Sequence, residues 1–424
     1  MNKRSFLKQL SFFGLGGMAY PGLGLDELLK SKVQTLPQDL AVDEEFWMQV
    51  RRAYKLKPDY INLENGYYNF LPEEVLEKYI QHLREVNYQG AYYMRTVQWE
   101  NKARVAKKLA DQFGAAAEEL VITRNTTESL DLIISGYPWQ TGDEVIFATH
   151  DYSSIMNMFE LTARRKGFNT KVLQVPLHPA SDEAIVSLYE AAITAQTKLI
   201  MVSHMVNITG QILPIRKICD MAHSHGVEVM VDGAHAIAHI QFSIRDLHCD
   251  YYGSSLHKWL GAPLGAGLLY VQQDKTDKIW PLLAPYELDR EGIANLNHVG
   301  THPVATDLAI AAALDFYQQL GPERKEARLR YLQQYWTEKV RGIEGIKVNT
   351  PAQAERACAI ANVGIEGLPP AEMAKTLLET YGIYTVAIAY AGVQGCRITP
   401  NVYTTPRELD QLVVALKEMA LSGI

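Results

Sequence analysis

Cysteine is scarce in this chain of 424 residues. The chain has four, Cys219, Cys249, Cys358 and Cys396, and no two of them form a CxxC pair. Disulfide frameworks and structural zinc sites need cysteines that are paired at characteristic spacings. The scattered spacing argues against both, and it predicts a fold that does not depend on covalent bridges.

An excess of positive charge is also missing. The chain carries 41 lysines and arginines against 48 aspartates and glutamates, for a net charge of −7. A nucleic-acid-binding protein favours a basic face, and here there is no block of like charges, no low-complexity stretch and no internal repeat. We therefore expect no nucleic-acid partner.

Long apolar runs are absent except near the start. Residues 1–8 are basic, and Leu10–Leu25 is apolar but broken by glycine, which is the order of an export signal and a poor membrane span. The segment Lys3–Lys8 (KRSFLK) resembles a twin-arginine leader with lysine in place of the first arginine. We interpret residues 1–32 as a leader that exports the protein to the periplasm. The alternative is an N-terminal arm of a cytoplasmic protein, since no clean A-x-A cleavage site follows.

Several common catalytic signatures are missing as well. The chain has no GxSxG nucleophile elbow and no GxxxxGK[ST] phosphate loop. The stretch Gly261–Gly267 does not join a strand to a helix as a dinucleotide fingerprint does. His204, His223 and His225 lack a second cluster of carboxylates at ligand spacing, so we expect no metal site.

The middle of the chain alternates short apolar runs with helical patterns, which predicts an α/β fold with a mainly parallel sheet. The runs are 119–122, 144–148, 171–175, 198–202, 227–231 and 267–271. Because 424 residues exceed one small core, we predict a large domain over 33–300 and a smaller C-terminal α+β domain over 301–424. An arm over residues 33–60 leads into the first, and a helix at 303–320 begins the second.

Chemistry-bearing side chains fall where predicted strands end, which is where open α/β sheets bind ligands. Asn125 is a good helix N-cap, and Thr126 and Thr127 follow it at the start of a predicted helix. Such a start is either a capped helix alone or a cradle for a phosphate group. Asp232 directly follows another apolar run, where aspartate is often only a turn former.

Lys258 lies between a strand-like run and the glycine-rich stretch that begins at Gly261. A lone lysine is normally a solvated surface charge. A lysine that is desolvated can lose its proton and act as a nucleophile or base. The order of these features along the chain is more specific than any one of them.

That order resembles the class V aminotransferase-fold enzymes that use pyridoxal 5′-phosphate (PLP), most closely their isopenicillin-N-epimerase-like branch. The resemblance covers approximately residues 60–420. Its strongest segments are Ile122–Leu130, Ser203–Gln211, Val231–Ala236, Ser255–Lys258, Gly300–Thr301 and Arg397–Tyr403. It implies the PLP-dependent transferase fold of type I, with a large domain around a mainly parallel seven-stranded sheet and a small C-terminal α+β domain.

The resemblance also implies roles for single residues. Lys258 matches the lysine that holds PLP as a Schiff base, and Asp232 matches the partner of the pyridine nitrogen, whose protonation makes the cofactor an electron sink. His235 matches a residue that approaches the phenolic oxygen of the ring. Tyr152 matches an aromatic residue that stacks on the ring, and Asn207 matches a residue beside it.

The remaining implied contacts involve the phosphate, the substrate and a second chain. Arg397 matches the arginine that clamps a substrate carboxylate. Thr301 matches a residue that crosses a two-fold interface to the partner's phosphate, so the resemblance implies a homodimer with shared active sites. The phosphate ligands implied within one chain are Thr126, Thr127, Ser255 and His257.

The expected substrate is an amino acid or a peptide-like amine that bears a carboxylate. Epimerisation, α,β-elimination and transamination all stay open, because no motif reports which bond breaks. Cysteine desulfuration is disfavoured, since residues 385–395 lack the mobile-loop cysteine of those relatives and Cys396 directly precedes Arg397. A sensor or scaffold that has lost catalysis is the non-enzymatic alternative, but it would need neither Lys258 nor Asp232.

Overall fold

The computed structural model describes residues 25–285 and 292–422. It divides the chain into two units, residues 1–35 and 36–424. In the first unit, helix α1 spans Leu25–Ser31, and residues 1–24 of the predicted leader lie outside the described residues. Within the described ranges, no helix is both long and apolar enough to cross a membrane.

The second unit contains helices and strands that alternate through most of its length. Its α-helices are α2 (Pro37–Ala41), α3 (Glu44–Arg51), α4 (Glu73–Gln89), α5 (Ala91–Thr96), α6 (Gln98–Phe113), α7 (Thr126–Gly136), α8 (Ser153–Lys166), α9 (Asp182–Ala192), α10 (Ile215–Ser224), α11 (Val304–Leu320), α12 (Pro322–Val340), α13 (Pro370–Tyr381) and α14 (Pro406–Ser422). Its strands are β1 (Ile61–Asn62), β2 (Leu120–Thr123), β3 (Glu144–Ala148), β4 (Asn169–Leu173), β5 (Thr197–Ser203), β6 (Glu228–Asp232), β7 (Tyr251–Ser255), β8 (Gly267–Val271), β9 (Ile346–Val348), β10 (Ala361–Ile365), β11 (Ile383–Tyr384), β12 (Val386–Tyr390) and β13 (Val393–Ile398).

A seven-stranded sheet in the order β2-β8-β7-β6-β5-β3-β4 confirms the predicted mainly parallel architecture. The strands from β3 to β7 pair in parallel, and β8 runs antiparallel between β7 and β2. Its central strands are apolar and buried along nearly their whole length because helices cover both faces. β5, β6 and β7 therefore end side by side at Ser203, Asp232 and Ser255.

A four-stranded antiparallel sheet in the order β12-β13-β10-β9 forms near the C-terminus. It has its own buried core, in which Leu63, Trp336 and Met373 take part. Residues 383–390 form two strands, β11 and β12, and β11 pairs in parallel with β1. Residues 61–63 thus pack with the C-terminal sheet, although they fall inside the predicted range of the large domain. The domain boundary after residue 300 stays a prediction.

The predicted arm over residues 33–60 contains two short helices that its weak periodicity did not indicate. Asp43 caps α3 by accepting a hydrogen bond from the N–H of Phe46 at 3.0 Å, and Phe46 and Trp47 are buried. The guanidinium of Arg328, on α12, donates to the carbonyl of Ala41 and to the carboxylate of Glu44. This segment is therefore fastened to the helices that carry the C-terminal sheet.

Candidate active site

A cavity of about 310 Å³ lies at the carboxyl ends of β5, β6 and β7. Ten residues that the sequence predicts for the site line it together: Thr126, Thr127, Tyr152, Asn207, Asp232, His235, Ser255, His257, Lys258 and Arg397. Thr301, the eleventh, is exposed and does not line this cavity. The structure thus brings together residues that are spread over most of the chain.

Helix α7 points its N-terminus at the cavity. Asn125 caps it by accepting from the N–H of Glu128 at 2.9 Å, as predicted. The side chain of Glu128 does not complete a capping box, because it accepts from the N–H of Arg124 at 2.7 Å. The N–H of Thr126 donates to the hydroxyl of Ser255 at 2.9 Å, which ties the helix start to the end of β7.

Close packing around this helix start depends on a glycine. A Cβ atom at Gly267, the first residue of β8, would lie 2.6 Å from the backbone nitrogen of Asn125. Real Cβ atoms do not approach a backbone nitrogen so closely, so any larger residue would push the helix start away from the sheet. Gly267 therefore helps to position the hydroxyls of Thr126 and Ser255, whose oxygens lie 2.7 Å apart.

Lys258 follows β7 on a turn, and its backbone carbonyl accepts a hydrogen bond from the side-chain amide of Asn69. Burial lowers the pKa of its amine to about 8, against the opposing attraction of Asp232. Burial also raises the pKa of Asp232, a shift that the N–H of Ala234 and the charge of Lys258 partly offset. An amine that loses its proton near neutral pH can act as a nucleophile or base.

His235 contacts Lys258 directly, with 3.1 Å between its Nε2 and the lysine Nζ. The indole N–H of Trp259 donates to Nδ1 of His235 at 3.2 Å. Indole nitrogen is only a donor, so Nδ1 must accept, and in the neutral imidazole the proton lies on Nε2. Burial lowers the pKa of His235 well below its usual value, as does the charge of Lys258. His235 therefore points its Nε2–H at Nζ of Lys258, which accepts this hydrogen bond when the amine is neutral.

A second histidine holds Trp259 in place. The ring of His239 stacks on Trp259 with the ring centroids 3.7 Å apart. Nε2 of His239 accepts from the N–H of Ala359 at 2.9 Å, so its Nδ1 carries the proton and donates to the carbonyl of His235 at 2.8 Å. Both nitrogens of the His239 ring therefore have hydrogen-bond partners, so the ring is fixed. It holds Trp259 in the position from which the indole N–H sets the tautomer of His235.

Arg397, on β13, also lines the cavity. Its Nη2 and Nε donate to the carboxylate of Glu64 at 2.5 and 3.3 Å, and its Nη1 donates to the carbonyl of Asn207 at 3.1 Å. Arg397 and Glu64 are both buried. The predicted carboxylate-binding arginine is thus already paired with an acidic side chain of its own protein.

These residues fit PLP, whose phosphate, ring and aldehyde need three different environments. The N–H groups in the first turn of α7 have no acceptor within the helix and favour an anion. His257 lines the same cavity, and its buried Nδ1 has no hydrogen-bond partner within the described ranges. Lys258 and Asp232 supply an amine and a carboxyl group as the ring would require.

Two residues of the site were missed by the sequence analysis. Glu64 contacts Arg397 across 333 positions of the chain, and nothing in its local pattern indicates that partner. Trp259 directly follows Lys258 in the sequence, but its hydrogen bond to His235 depends on the turn that follows β7. The structure gives a reason for the glycine at position 66, because a Cβ there would lie 2.8 Å from Cζ of Arg397.

The described residues hold no group of three or more metal-ligating side chains. All four cysteines are free and buried. Burial raises the pKa of Cys396 to about 11, which leaves its thiol protonated at neutral pH. Its sulfur contacts the carbonyl of Pro370 at 3.7 Å, so it packs as a structural thiol.

Known proteins resemble this chain over most of its length. The family model for aminotransferase class-V matches residues 70–412. An isopenicillin N epimerase of Amycolatopsis lactamdurans is 28% identical over 396 residues, which cover 88% of this chain and 98% of that protein. A probable cysteine desulfurase of Halalkalibacterium halodurans is 26% identical, and the match covers 81% and 88% of the two chains.

The cysteine desulfurase CsdA of Escherichia coli has a solved structure that aligns with a TM-score of 0.76 at 25% identity, covering 89% of this chain and 98% of that one. Epimerases and desulfurases thus both occur among the similar proteins. These similarities do not support disfavouring desulfurase activity because the loop cysteine is missing.

Proposed function

Because the chain belongs to the aminotransferase class-V family of PLP-dependent enzymes, we propose that it acts at the α-carbon of an amino acid or peptide-like amine that bears a carboxylate. The observation that carries the proposal is that Lys258, Asp232 and Arg397 line one cavity. These side chains supply an amine, a carboxyl group and a carboxylate-binding cation. The reactions covered are those that begin with loss of the α-proton, namely epimerisation, α,β-elimination and transamination.

Each side chain has a separate task in this proposal. PLP, when bound, supplies an electron sink for the charge that develops at the α-carbon. Lys258 holds the cofactor and then moves the proton at the α-carbon, for which its lowered pKa of about 8 leaves a usable neutral fraction. Asp232 holds a positive charge on the ring nitrogen, and His235 donates its Nε2–H towards the ring oxygen.

The test is a screen of the PLP-loaded protein against a panel of D- and L-amino acids. We expect a change in visible absorption with a subset of them, and a product that identifies the reaction: inverted configuration, ammonia with a keto acid, or an amino-group transfer. Absence of any spectral change across the panel, in protein that has bound PLP, would contradict the proposal.

Cysteine desulfuration is a second candidate, favoured by the 26% identity to a probable desulfurase. The buried state of the four cysteines is the observation against it. L-Cysteine in the same panel separates the two: formation of alanine, with the sulfur released as sulfide once an added thiol reductant supplies two electrons, would establish desulfuration. Sulfide accompanied by pyruvate and ammonia would instead assign α,β-elimination to the site.

We further propose a homodimer in which Thr301 serves the partner's site. Thr301 is exposed, and it follows Gly300, whose φ of 70° is typical of a turn. Large apolar side chains at Leu264 and Trp280 are exposed by 58% and 74%, as expected of a surface that a second copy covers.

A hybrid enzyme tests this assignment. Lys258→Ala and Thr301→Asp protomers should each be nearly inactive. If Thr301 acts in trans, a mixed dimer has one site with both lesions and one intact site, so up to about half the activity per dimer should return. Proven mixed dimers without recovery would overturn the assignment.

The export leader over residues 1–32 is also a proposal, supported by the order of basic and apolar residues at the start of the chain. Residues 1–35 fused to a reporter should carry it out of the cytoplasm, and Lys3→Gln with Arg4→Gln should keep it inside. A reporter that stays cytosolic with or without those changes would favour the N-terminal arm.

A further inference from the structure

Most of the N–H groups of Arg397 already donate to other groups of the protein, which would not be needed if the side chain only bound a substrate. A guanidinium carries five N–H groups. Two of them go to the carboxylate of Glu64 and one to the carbonyl of Asn207. One N–H on each terminal nitrogen is left, and such a pair matches the two oxygens of one planar carboxylate.

The segment that carries Glu64 is itself fixed against the end of β13. The N–H of Asn65 donates to the hydroxyl of Thr399 at 2.6 Å, and its side-chain amide donates to the carbonyl of Thr399 at 2.6 Å. The carboxylate of Glu64 also accepts from the N–H of Tyr67 at 2.9 Å. These contacts fix Glu64 in place beside Arg397, so it is not a mobile group that leaves when a substrate arrives.

Glu64 does not line the cavity, whereas Arg397 does. Glu64 therefore acts on a ligand only through Arg397, and it has two effects on that arginine. It fixes the plane of the guanidinium, and its negative charge offsets the positive charge beside the ligand. Binding of an anion by Arg397 then depends on the geometry of two hydrogen bonds more than on net attraction.

Resting on the function proposed above, we infer that Glu64 is a positioning residue that makes this site selective for substrates with a single planar carboxylate at the α-carbon. Anions of tetrahedral shape and higher charge, such as phosphonates, are the class it disfavours. They do not match the flat pair of N–H groups, and they gain little attraction from a cation that is already neutralised.

The experiment compares L-alanine with 1-aminoethylphosphonate, in which a phosphonate replaces the carboxylate. Binding of each to the PLP-loaded protein is followed by visible absorption and gives a ratio of two dissociation constants. If alanine gives no signal, an amino acid that does so in the panel takes its place together with its own phosphonate analogue. The variants are Glu64→Gln, which removes the charge, and Glu64→Asp, which keeps the charge but shortens the reach.

Both variants should lower the preference for the carboxylate about tenfold or more, since the fixed pair of charge-assisted hydrogen bonds is disturbed in each. Glu64→Gln should also bind the phosphonate more tightly than the wild type does. Glu379→Gln is the matched control, because it removes a charge from an exposed ion pair with Lys375 and should leave the ratio unchanged.

Melting temperature and the visible band of bound PLP establish that each variant is folded. If Glu64→Gln fails to fold, Glu64→Asp carries the test alone. An unchanged ratio in a folded Glu64→Asp protein would overturn the inference and leave the proposed function standing. No response of the wild type to any amino acid would instead overturn the proposed function.

Discussion

Lys258 and Arg397 face the same cavity, yet their surroundings treat the two positive charges in opposite ways. The amine of Lys258 contacts Nε2 of His235, and burial lowers the pKa of the amine to about 8 although the charge of Asp232 opposes this shift. Arg397 is buried against Glu64, so its charge is compensated within the protein. A cation that must give up its proton is desolvated, and a cation that must stay charged is paired.

The surroundings of Lys258 and of Arg397 should therefore respond differently to mutation. Mutations of residues around Lys258 should alter the rate of the reaction, because they change which groups carry protons. Mutations of residues around Arg397 should alter which ligands bind, because they change the position of hydrogen-bond donors. We expect the largest effect from replacing Lys258 and the smallest from replacing Trp259.

Replacing Lys258 with alanine should abolish turnover and remove the visible band of the lysine-bound cofactor. The reason is that no other amine among the described residues lines the cavity. Absorption spectra and activity of protein reconstituted with PLP provide the measurement. Lys275→Ala is the control, since Lys275 is a partly buried lysine that pairs with Glu228 outside the cavity. A normal visible band in the Lys258 variant would contradict its assignment.

Asp232→Asn should retain bound PLP but lower kcat on the order of 10²–10³-fold, which is typical when one preorganised electrostatic group is removed from a site. The amide keeps the size of the side chain and loses the charge. Asp250→Asn, a change at another buried carboxylate, should lower the melting temperature while sparing the chemistry. Equal kcat in wild type and the Asp232 variant would exclude the electrostatic role.

The contacts around Lys258 and those around Arg397 also differ in how well they can be predicted from the sequence. Asp232 and His235 follow the predicted apolar run 227–231, and Lys258 follows a strand-like run, so their convergence at one edge is expected from parallel pairing. The Glu64–Arg397 pair depends on a bridge between residues 64 and 399, which no local pattern specifies. Contacts of that kind arise from the packing of one whole segment on another.

The fold shows the same division. Strands β3 and β8 begin and end where their apolar runs predict. Helix α8, over Ser153–Lys166, was not predicted from periodicity, although it begins directly after Tyr152. The segment 61–63 packs against the C-terminal core, where Leu63 is buried, and β1 pairs with β11, which lies hundreds of residues away. Local pattern predicts elements well and their distant partners poorly.

The pH dependence of cofactor capture should follow the amine of Lys258. Its pKa is lowered to about 8 from an ordinary value near 10.5, so the neutral form grows as pH rises towards 8 and levels off above it. The rate at which the apoprotein gains the visible band should rise about tenfold per pH unit well below 8, because only the neutral amine is nucleophilic. A rate that keeps rising to pH 10 would mean that the amine is not desolvated.

Trp259→Phe should have the smallest effect. It removes the indole N–H that donates to Nδ1 of His235, while it keeps an aromatic ring against His239. Loss of one neutral hydrogen bond corresponds to about 0.5–1.5 kcal/mol, so kcat at neutral pH should fall about two- to tenfold. KM should change little, because Trp259 contacts His235 beside Lys258 and not the ligand-binding Arg397.

A pH profile separates this role from a purely structural one. Without the indole donor, Nδ1 of His235 is free to take a proton, so the pKa of His235 should move upward and kcat should decline further on the acid side. Trp139→Phe is the control: its indole N–H donates to the carbonyl of Ile134 at 3.0 Å in the core, away from the cavity. If both variants keep the wild-type shape of the profile, Trp259 does not set the tautomer of His235. A new acid limb in the Trp259 variant alone would assign that task to it.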